Sequence, residues 1–268
     1  MRCNTTASNN TAMGFEALCA NTTGNQNTAS GHNALRCNTT ASGNVAMGFE
    51  ALCANTTANQ NVAVGYQALK NNCGCSSNDG KFNTAVGYVA LGCNTTGSNN
   101  TASGRAALLC NTTGTCNTAT GYQALRDNTT GSNNTAAGSQ ALFCNTTGSC
   151  NIATGRNTLL SNTTGNQNTA TGVNVLFSNT EGSSNTASGV DALLSNTTGS
   201  CNTAIGRIAL VCNTTGSNNI GIGLDAGRTG CSPLAITTAS NQVVIGNNSH
   251  CCFVATCAFV TSSDCRDK

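Results

Sequence analysis

The stretch NTTGSNNTASGRAALLC, residues 94–110, is the clearest copy of a 17-residue phrase that occurs thirteen times from residue 4 onward. A fixed period of this length is typical of solenoids and fibres. The fifth copy occupies residues 72–93 and carries five additional residues, which the alignment of the copies places at 72–76. With the first Asn as position 1, the twelve regular copies begin at Asn4, Asn21, Asn38, Asn55, Asn94, Asn111, Asn128, Asn145, Asn162, Asn179, Asn196 and Asn213.

Four positions of the phrase hardly vary along the chain. Position 7 is Asn and position 11 is Gly in all thirteen copies, while position 9 is Ala and position 15 is Leu in twelve. The alternation over positions 7–11 predicts a short strand, with Ala and Gly on one face and Thr, Val, Ile, Ser or Met on the other. Which face points inward stays open from the sequence. Positions 1–6 are rich in Asn and Gly and are typical of turns.

These patterns predict an all-β fold, a β-solenoid (β-roll) of about thirteen 17-residue coils with one coil per copy. The remaining apolar segment is too short for a stable helix, so a helical repeat is disfavoured. Coils stacked about 4.8 Å apart would align the Asn residues into hydrogen-bonded ladders along a rod roughly 60 Å long. The Ala-Leu pair at positions 14–15 would supply the one large buried side chain of each coil.

The composition excludes several classes of function. Charged residues make up 7% of the chain and aromatic residues 4%, and the net charge is only +2. The scattered Lys and Arg form no basic stripe for nucleic acid, and no apolar run is long enough to span a membrane. Two His and nine dispersed carboxylates suggest no catalytic pair or triad, so an enzyme and a cofactor are not expected.

The NTAxGxxAL core, as in residues 117–125, resembles the repeats of phage and viral tail-fibre proteins. It is also similar to the head repeats of trimeric autotransporter adhesins, which implies a homotrimeric fibre. The last six residues resemble the SDxRxK opening of the intramolecular chaperone domain of endosialidase-type tailspikes. That likeness implies one self-cleavage at Ser263, with Asp264, Arg266 and Lys268 completing the motif and the chaperone itself absent from this chain.

Three segments follow from these patterns. Residues 1–228 are predicted to form the solenoid shaft, residues 229–262 a capping or trimer-locking segment, and residues 263–268 the start of the missing chaperone domain. The most apolar part of the second segment contains two predicted strands, at 241–247 and 252–260. A cap is expected there because an exposed solenoid end is an open sheet edge.

The chain has eighteen cysteines, and seven of them recur where copies join: Cys3, Cys19, Cys37, Cys53, Cys73, Cys93 and Cys110. Stacked coils would place their Cα atoms about 5 Å apart, within the range for disulfides. Small buried thiols are the alternative, because Ser161, Ser178 and Ser195 fill the same slot. Zinc is disfavoured, since neither Cys73 with Cys75 nor the group at 250–257 has paired C-x-x-C spacing, and no metal site is predicted. The disulfide candidates are Cys3, Cys19, Cys37, Cys53, Cys73, Cys75, Cys93, Cys110, Cys116, Cys144, Cys150, Cys201 and Cys212.

Asn-Thr-Thr is also an N-glycosylation acceptor. The alternative is that the same Asn and Thr serve only as turn and ladder residues. Further acceptor patterns begin at Asn9, Asn99, Asn133 and Asn247. The principal glycosylation candidates are Asn4, Asn21, Asn38, Asn55, Asn94, Asn111, Asn128, Asn145, Asn162, Asn196 and Asn213.

The sequence therefore predicts a structural fibre, a tail-fibre-like or adhesin-like shaft that is disulfide-reinforced and presents Asn/Thr-rich turns. Expected partners are copies of the chain, as a homotrimer or an end-to-end filament, and host-surface glycans, with no nucleic acid and no membrane insertion. An extracellular or virion-surface location is expected. The alternative is a secreted ice- or carbohydrate-binding module, because Thr-Ala-Thr and Thr-Ala-Ser at positions 8–10 resemble the threonine ladders of ice-binding solenoids. Val45, Val62 and Ile220 interrupt that pattern.

Overall fold

The computed structural model describes residues 3–73, 79–227 and 237–247, and these residues form a β-solenoid. Fourteen parallel strands make one sheet in which each strand pairs with its neighbours in chain order. The described part contains no helix. The strands are β1 (Thr11–Met13), β2 (Thr28–Ser30), β3 (Val45–Met47), β4 (Val62–Val64), β5 (Thr84–Val86), β6 (Thr101–Ser103), β7 (Thr118–Thr120), β8 (Thr135–Ala137), β9 (Ile152–Thr154), β10 (Thr169–Val173), β11 (Thr186–Val190), β12 (Thr203–Ile205), β13 (Ile220–Ile222) and β14 (Val243–Ile245).

The register places each repeat position on the same position of the next coil. In β6 and β7, for example, Thr101 pairs with Thr118 and Ala102 pairs with Ala119. Most strands cover only positions 8–10, which is shorter than the predicted 7–11. The chain turns at the position-11 glycine, where φ lies between 113° and 144° in all thirteen copies. Such values are in a region that residues with a Cβ rarely adopt.

The solenoid interior contains Ala and Leu, which settles the question of the inward face. The position-9 Ala of the strands points inward, and positions 8 and 10 point out. Leu at position 15 is completely buried in twelve coils and is the largest buried side chain in each. The predicted narrow core is therefore confirmed. These twelve leucines also hold φ near +50°, a left-handed conformation that non-glycine residues adopt infrequently.

Close approach between coils explains the invariant glycine. A Cβ on Gly121 would lie 2.6 Å from the carbonyl oxygen of Gly138, its counterpart in the next coil. Real Cβ atoms do not come so near a backbone atom, so any side chain would push neighbouring coils apart.

Two ladders of buried Asn side chains connect the coils. At position 1, Asn111 Nδ2 donates to Asn94 Oδ1 (2.8 Å) and to the Gly114 carbonyl (3.0 Å). At position 7, the backbone N–H of Asn117 donates to Asn100 Oδ1 (3.0 Å), and its own Nδ2 donates to the Gly131 carbonyl (2.8 Å). Each such amide therefore satisfies backbone groups of its own or an adjacent coil, which is what a buried amide must do.

The five additional residues lie later in the fifth copy than the sequence alignment placed them. Asn72 occupies position 1 of that coil, because its Nδ2 donates to Asn55 Oδ1 (3.0 Å) and to the Gly80 carbonyl (2.9 Å). Asn94 then continues the ladder by donating to Asn72 Oδ1 (2.8 Å). The extra residues thus fall between Asn72 and Gly80 instead of at 72–76, because Asn72 is position 1 of this coil.

The solenoid also extends beyond residue 228. Strand β14 stacks on β13 with Ile220 opposite Val243 and Ile222 opposite Ile245. The strand predicted at 241–247 is therefore confirmed, but it forms a fourteenth coil in continuous register with the shaft. Gln242 stands there in the place of the position-7 Asn and donates its N–H to Asn219 Oδ1 (2.9 Å). The strand predicted at 252–260 lies outside the described residues.

Candidate functional site

The predicted glycosylation sites lie mostly inside the solenoid. The ten candidates from Asn21 to Asn213 have no exposed surface, and in the second coil onward their Nδ2 atoms are occupied by the position-1 ladder. A glycan on Nδ2 would have to pass through the neighbouring coil. The glycosylation prediction therefore needs correction at these ten positions. Asn4 in the first coil is exposed, as are Asn9, Asn99 and Asn133 at position 6.

No disulfide bond joins cysteines within the described part of the chain, so the predicted disulfides are not confirmed. Among the described cysteines, only Cys93 and Cys110 occupy the same position in consecutive coils. Side chains related by coil stacking have Cβ atoms about 4.8 Å apart and pointing in the same direction, whereas a disulfide needs about 3.5–4.5 Å. Cys110 and Cys116 belong to the same turn, Cys110 just before the buried Asn111 and Cys116 five residues after it. Cys110 is partly buried, whereas Cys116 is exposed. Cys75 lies outside the described residues.

Cys73 takes part in the hydrogen bonds between coils, and three other thiols have a raised pKa. Cys73 stands at position 2 in place of Thr, accepts from Thr56 Oγ1 through its carbonyl (2.6 Å) and donates from Sγ to the Thr95 carbonyl (3.6 Å). Burial raises the pKa of Cys53, Cys110 and Cys144. A raised pKa leaves less thiolate at neutral pH and makes these thiols poor nucleophiles.

The ionisable groups form isolated contacts along the rod. Lys70 Nζ lies 2.8 Å from Glu50 Oε2, and Arg126 Nε lies 2.7 Å from Asp127 Oδ1. Hydrogen bonds from Lys70 and from Gln67 lower the pKa of Glu50. Within the described ranges, no group of three or more His, Cys, Asp or Glu could hold a metal ion.

An aromatic row that the sequence reading missed runs along position 12. The rings of Phe15, His32, Phe49, Tyr66 and Tyr88 stack in that order with centroids 5.1–5.2 Å apart. The row continues through Arg105, whose guanidinium carbon lies 5.8 Å from the centroid of the Tyr88 ring. The signal was present in the sequence as an aromatic residue at the same position of successive copies.

The outward side of the sheet consists of positions 8 and 10. In β7, Thr118 and Thr120 are exposed on either side of the buried Ala119. The threonines at position 2 differ, because Thr112 Oγ1 donates to the Thr129 carbonyl of the next coil (3.0 Å). Hydroxyl groups at position 2 thus serve the fold, whereas those on the outward sheet face solvent.

Comparisons with protein-family models, with curated proteins and with solved structures found no match to the chain. The fold defines the class, a β-solenoid repeat protein. In the part of the chain that the structure describes, no helix is long and apolar enough to cross a membrane. The motif at Ser263, Asp264, Arg266 and Lys268 lies outside the described residues, and so do His250 and the cysteines near it, so self-cleavage stays a prediction.

Proposed function

We propose that this chain is the shaft of a fibre, tail-fibre-like or adhesin-like, on the outside of a cell or virion. The observation that supports the proposal best is the continuity of the axial ladders. The position-1 ladder runs from Asn21 to Asn213, and a longer turn in the fifth coil leaves it unbroken. Because each coil contacts only its neighbours, adding coils lengthens the rod without requiring a wider core. This property is what a fibre shaft that holds two parts of a structure apart requires.

The proposed role is mechanical: the shaft carries force along its axis and catalyses no reaction. A pull along the axis would be shared among the Asn amides, the position-2 Thr hydroxyls and the parallel strands of every coil. Because these bonds lie along the rod, we propose that they supply the rigidity that the sequence suggested disulfides would provide. The turns at positions 3 and 6 stay exposed and are the surfaces proposed to meet host glycans.

The shaft is proposed to work as an assembly of several copies, with three as the expected number. Sedimentation equilibrium, for the mass, and sedimentation velocity, for the shape, test the proposal on the purified chain. A mass of two or more times 26.8 kDa, together with a frictional ratio typical of an elongated particle, is expected. A stable, compact monomer at all concentrations would refute the shaft.

The exposed hydroxyl rows favour one alternative, a secreted ice- or carbohydrate-binding module. In β6 and β7 the outward residues are Thr101, Ser103, Thr118 and Thr120, all exposed. A flat array of hydroxyls could order water or bind a sugar chain. Thermal hysteresis by a monomeric chain would support this alternative in place of the shaft.

A further inference from the structure

The outward sheet contains no charge. Fourteen strands contribute two outward positions each, from Thr11 and Met13 in β1 to Val243 and Ile245 in β14, and we call these 28 positions the uncharged face. Among the described residues, no Lys, Arg, Asp or Glu lies on this face, and neither does any Asn or Gln. The charged residues of the described part lie instead on the other sides of the coil.

Exposed apolar side chains are concentrated toward both ends of the uncharged face. In the first five strands, Met13, Met47 and Val86 are each more than 40% exposed. In the last three strands, Ile205 and Ile245 are exposed to the same degree or more. Several exposed apolar side chains on one face of a monomer are unusual and mark a surface that another molecule covers. Between these ends, β6–β11 present mainly Thr and Ser.

The outward hydroxyls of the central strands are not used by the fold. Among the described residues, none of the outward Thr and Ser side chains hydrogen-bonds to another protein group, in contrast to the position-2 threonines. The hydroxyl groups of the uncharged face are therefore not needed to hold one coil on the next.

We infer that the uncharged face is the surface through which copies of this chain associate, side by side, parallel and in register. This inference rests on the proposed shaft function. The face is about 65 Å long and about 10 Å wide, or roughly 650 Å² per copy. Two such faces together bury about 1,300 Å², within the usual range for a stable interface.

The distribution of residue types favours copies of the chain as the occupant. An uncharged surface complements itself, because no charge has to be matched or desolvated across the interface. Closed cyclic symmetry about the rod axis would set each coil against the same coil of its neighbour. Apolar ends then contact apolar ends, and hydroxyl rows contact hydroxyl rows. In an antiparallel pair, Val64 of β4 would instead face the hydroxyl-bearing β11.

Charge substitution on the face tests the inference. Val64→Lys, and Thr120→Lys as a second variant, should lower the association constant of the folded chain by at least about 100-fold, because each buries an unpaired charge. Thr113→Lys is the matched control: it adds the same charge at an exposed position 3 and should leave the mass unchanged. Far-UV circular dichroism confirms that each variant keeps its strands, and sedimentation equilibrium reports the mass.

A mixing experiment tests the register. Val64→Lys mixed with Val64→Glu should associate more strongly than either variant alone, since the opposite charges meet only if β4 lies against β4. Stronger association with Ser188→Glu of β11 instead would overturn the parallel arrangement. Full association of both lysine variants would overturn the inference and leave the shaft intact, while a wild-type chain that never associates would overturn both.

Discussion

Replacing Asn128 by Ala removes one rung of the position-1 ladder in the middle of the rod. Asn128 Nδ2 donates to Asn111 Oδ1 (2.7 Å) and to the Gly131 carbonyl (2.9 Å), and Asn128 Oδ1 accepts from Asn145 Nδ2 (2.8 Å). The Gly131 carbonyl keeps the bond from Asn117, and Asn145 keeps the bond to its own coil. Asn111 Oδ1 is left buried without a donor.

The expected loss follows from these contacts. Three hydrogen bonds contribute about 1 kcal/mol each, and one buried acceptor without a partner costs about 1–3 kcal/mol. The sum, about 4–6 kcal/mol, is a large fraction of the stability of an ordinary domain. The neighbouring Thr130 is exposed, and its side chain makes no hydrogen bond within the described residues, so Thr130→Ala should change stability by no more than about 0.5 kcal/mol.

Guanidinium denaturation followed by circular dichroism measures the difference between the two variants. Because a solenoid can open coil by coil, hydrogen exchange should also show lost protection that is centred on the coil of Asn128 and fades toward the ends. If Asn128→Ala were as stable as Thr130→Ala, to within about 1 kcal/mol, the ladder would not be a principal source of stability.

Three further predictions concern the backbone and the charges. Gly121→Ala should lower the free energy of unfolding by at least about 2 kcal/mol, because φ is +132° and the added Cβ meets the next coil; a smaller loss in denaturant unfolding would contradict the close approach. Val89→Asn should raise that free energy by about 1 kcal/mol, since a β-branched residue at φ +50° is strained, and an unchanged denaturation midpoint would argue against strain there. Lys70 and Gln67 lower the pKa of Glu50, so Glu50 stabilises the fold above its unfolded-state pKa and loses this contribution as the pH falls through its folded value. For this partly exposed pair a few tenths of a kcal/mol are expected. Glu50→Gln should reduce the stability difference between pH 7 and pH 3 by that amount, which a pH series of denaturant unfolding would detect.

The sequence predicts the period-dependent features well because each depends on residues that recur. The strands, the Leu core and the Asn ladders all follow from positions 7, 9, 11 and 15. Where the repeat is broken, the prediction fails. The longer turn of the fifth coil was misplaced because the alignment matched letters, whereas the fold keeps Asn72 on the ladder. The fourteenth coil was taken for a cap because Gln242 and Val244 replace the usual Asn and Ala.

The exposure and direction of the Asn and Cys side chains were harder to predict from the sequence. Asn-Thr-Thr has the same letters whether its Asn is on the surface or in a ladder, and only stacking shows that Asn21 and its counterparts are buried. Cysteine spacing gave the right coil separation but not the direction of the side chains, which is what a disulfide requires. Which face of each strand points inward was also left open, because alternation along a strand separates two faces without showing which of them is buried.

Wide-angle X-ray diffraction from a sheared, concentrated solution of the intact chain tests the central claim most directly. Parallel coils stacked along one axis should give a strong reflection at about 4.8 Å along the direction of alignment. Aligned rods that lack this reflection, or that place it perpendicular to the rod axis, would contradict a solenoid whose coils are joined by axial ladders.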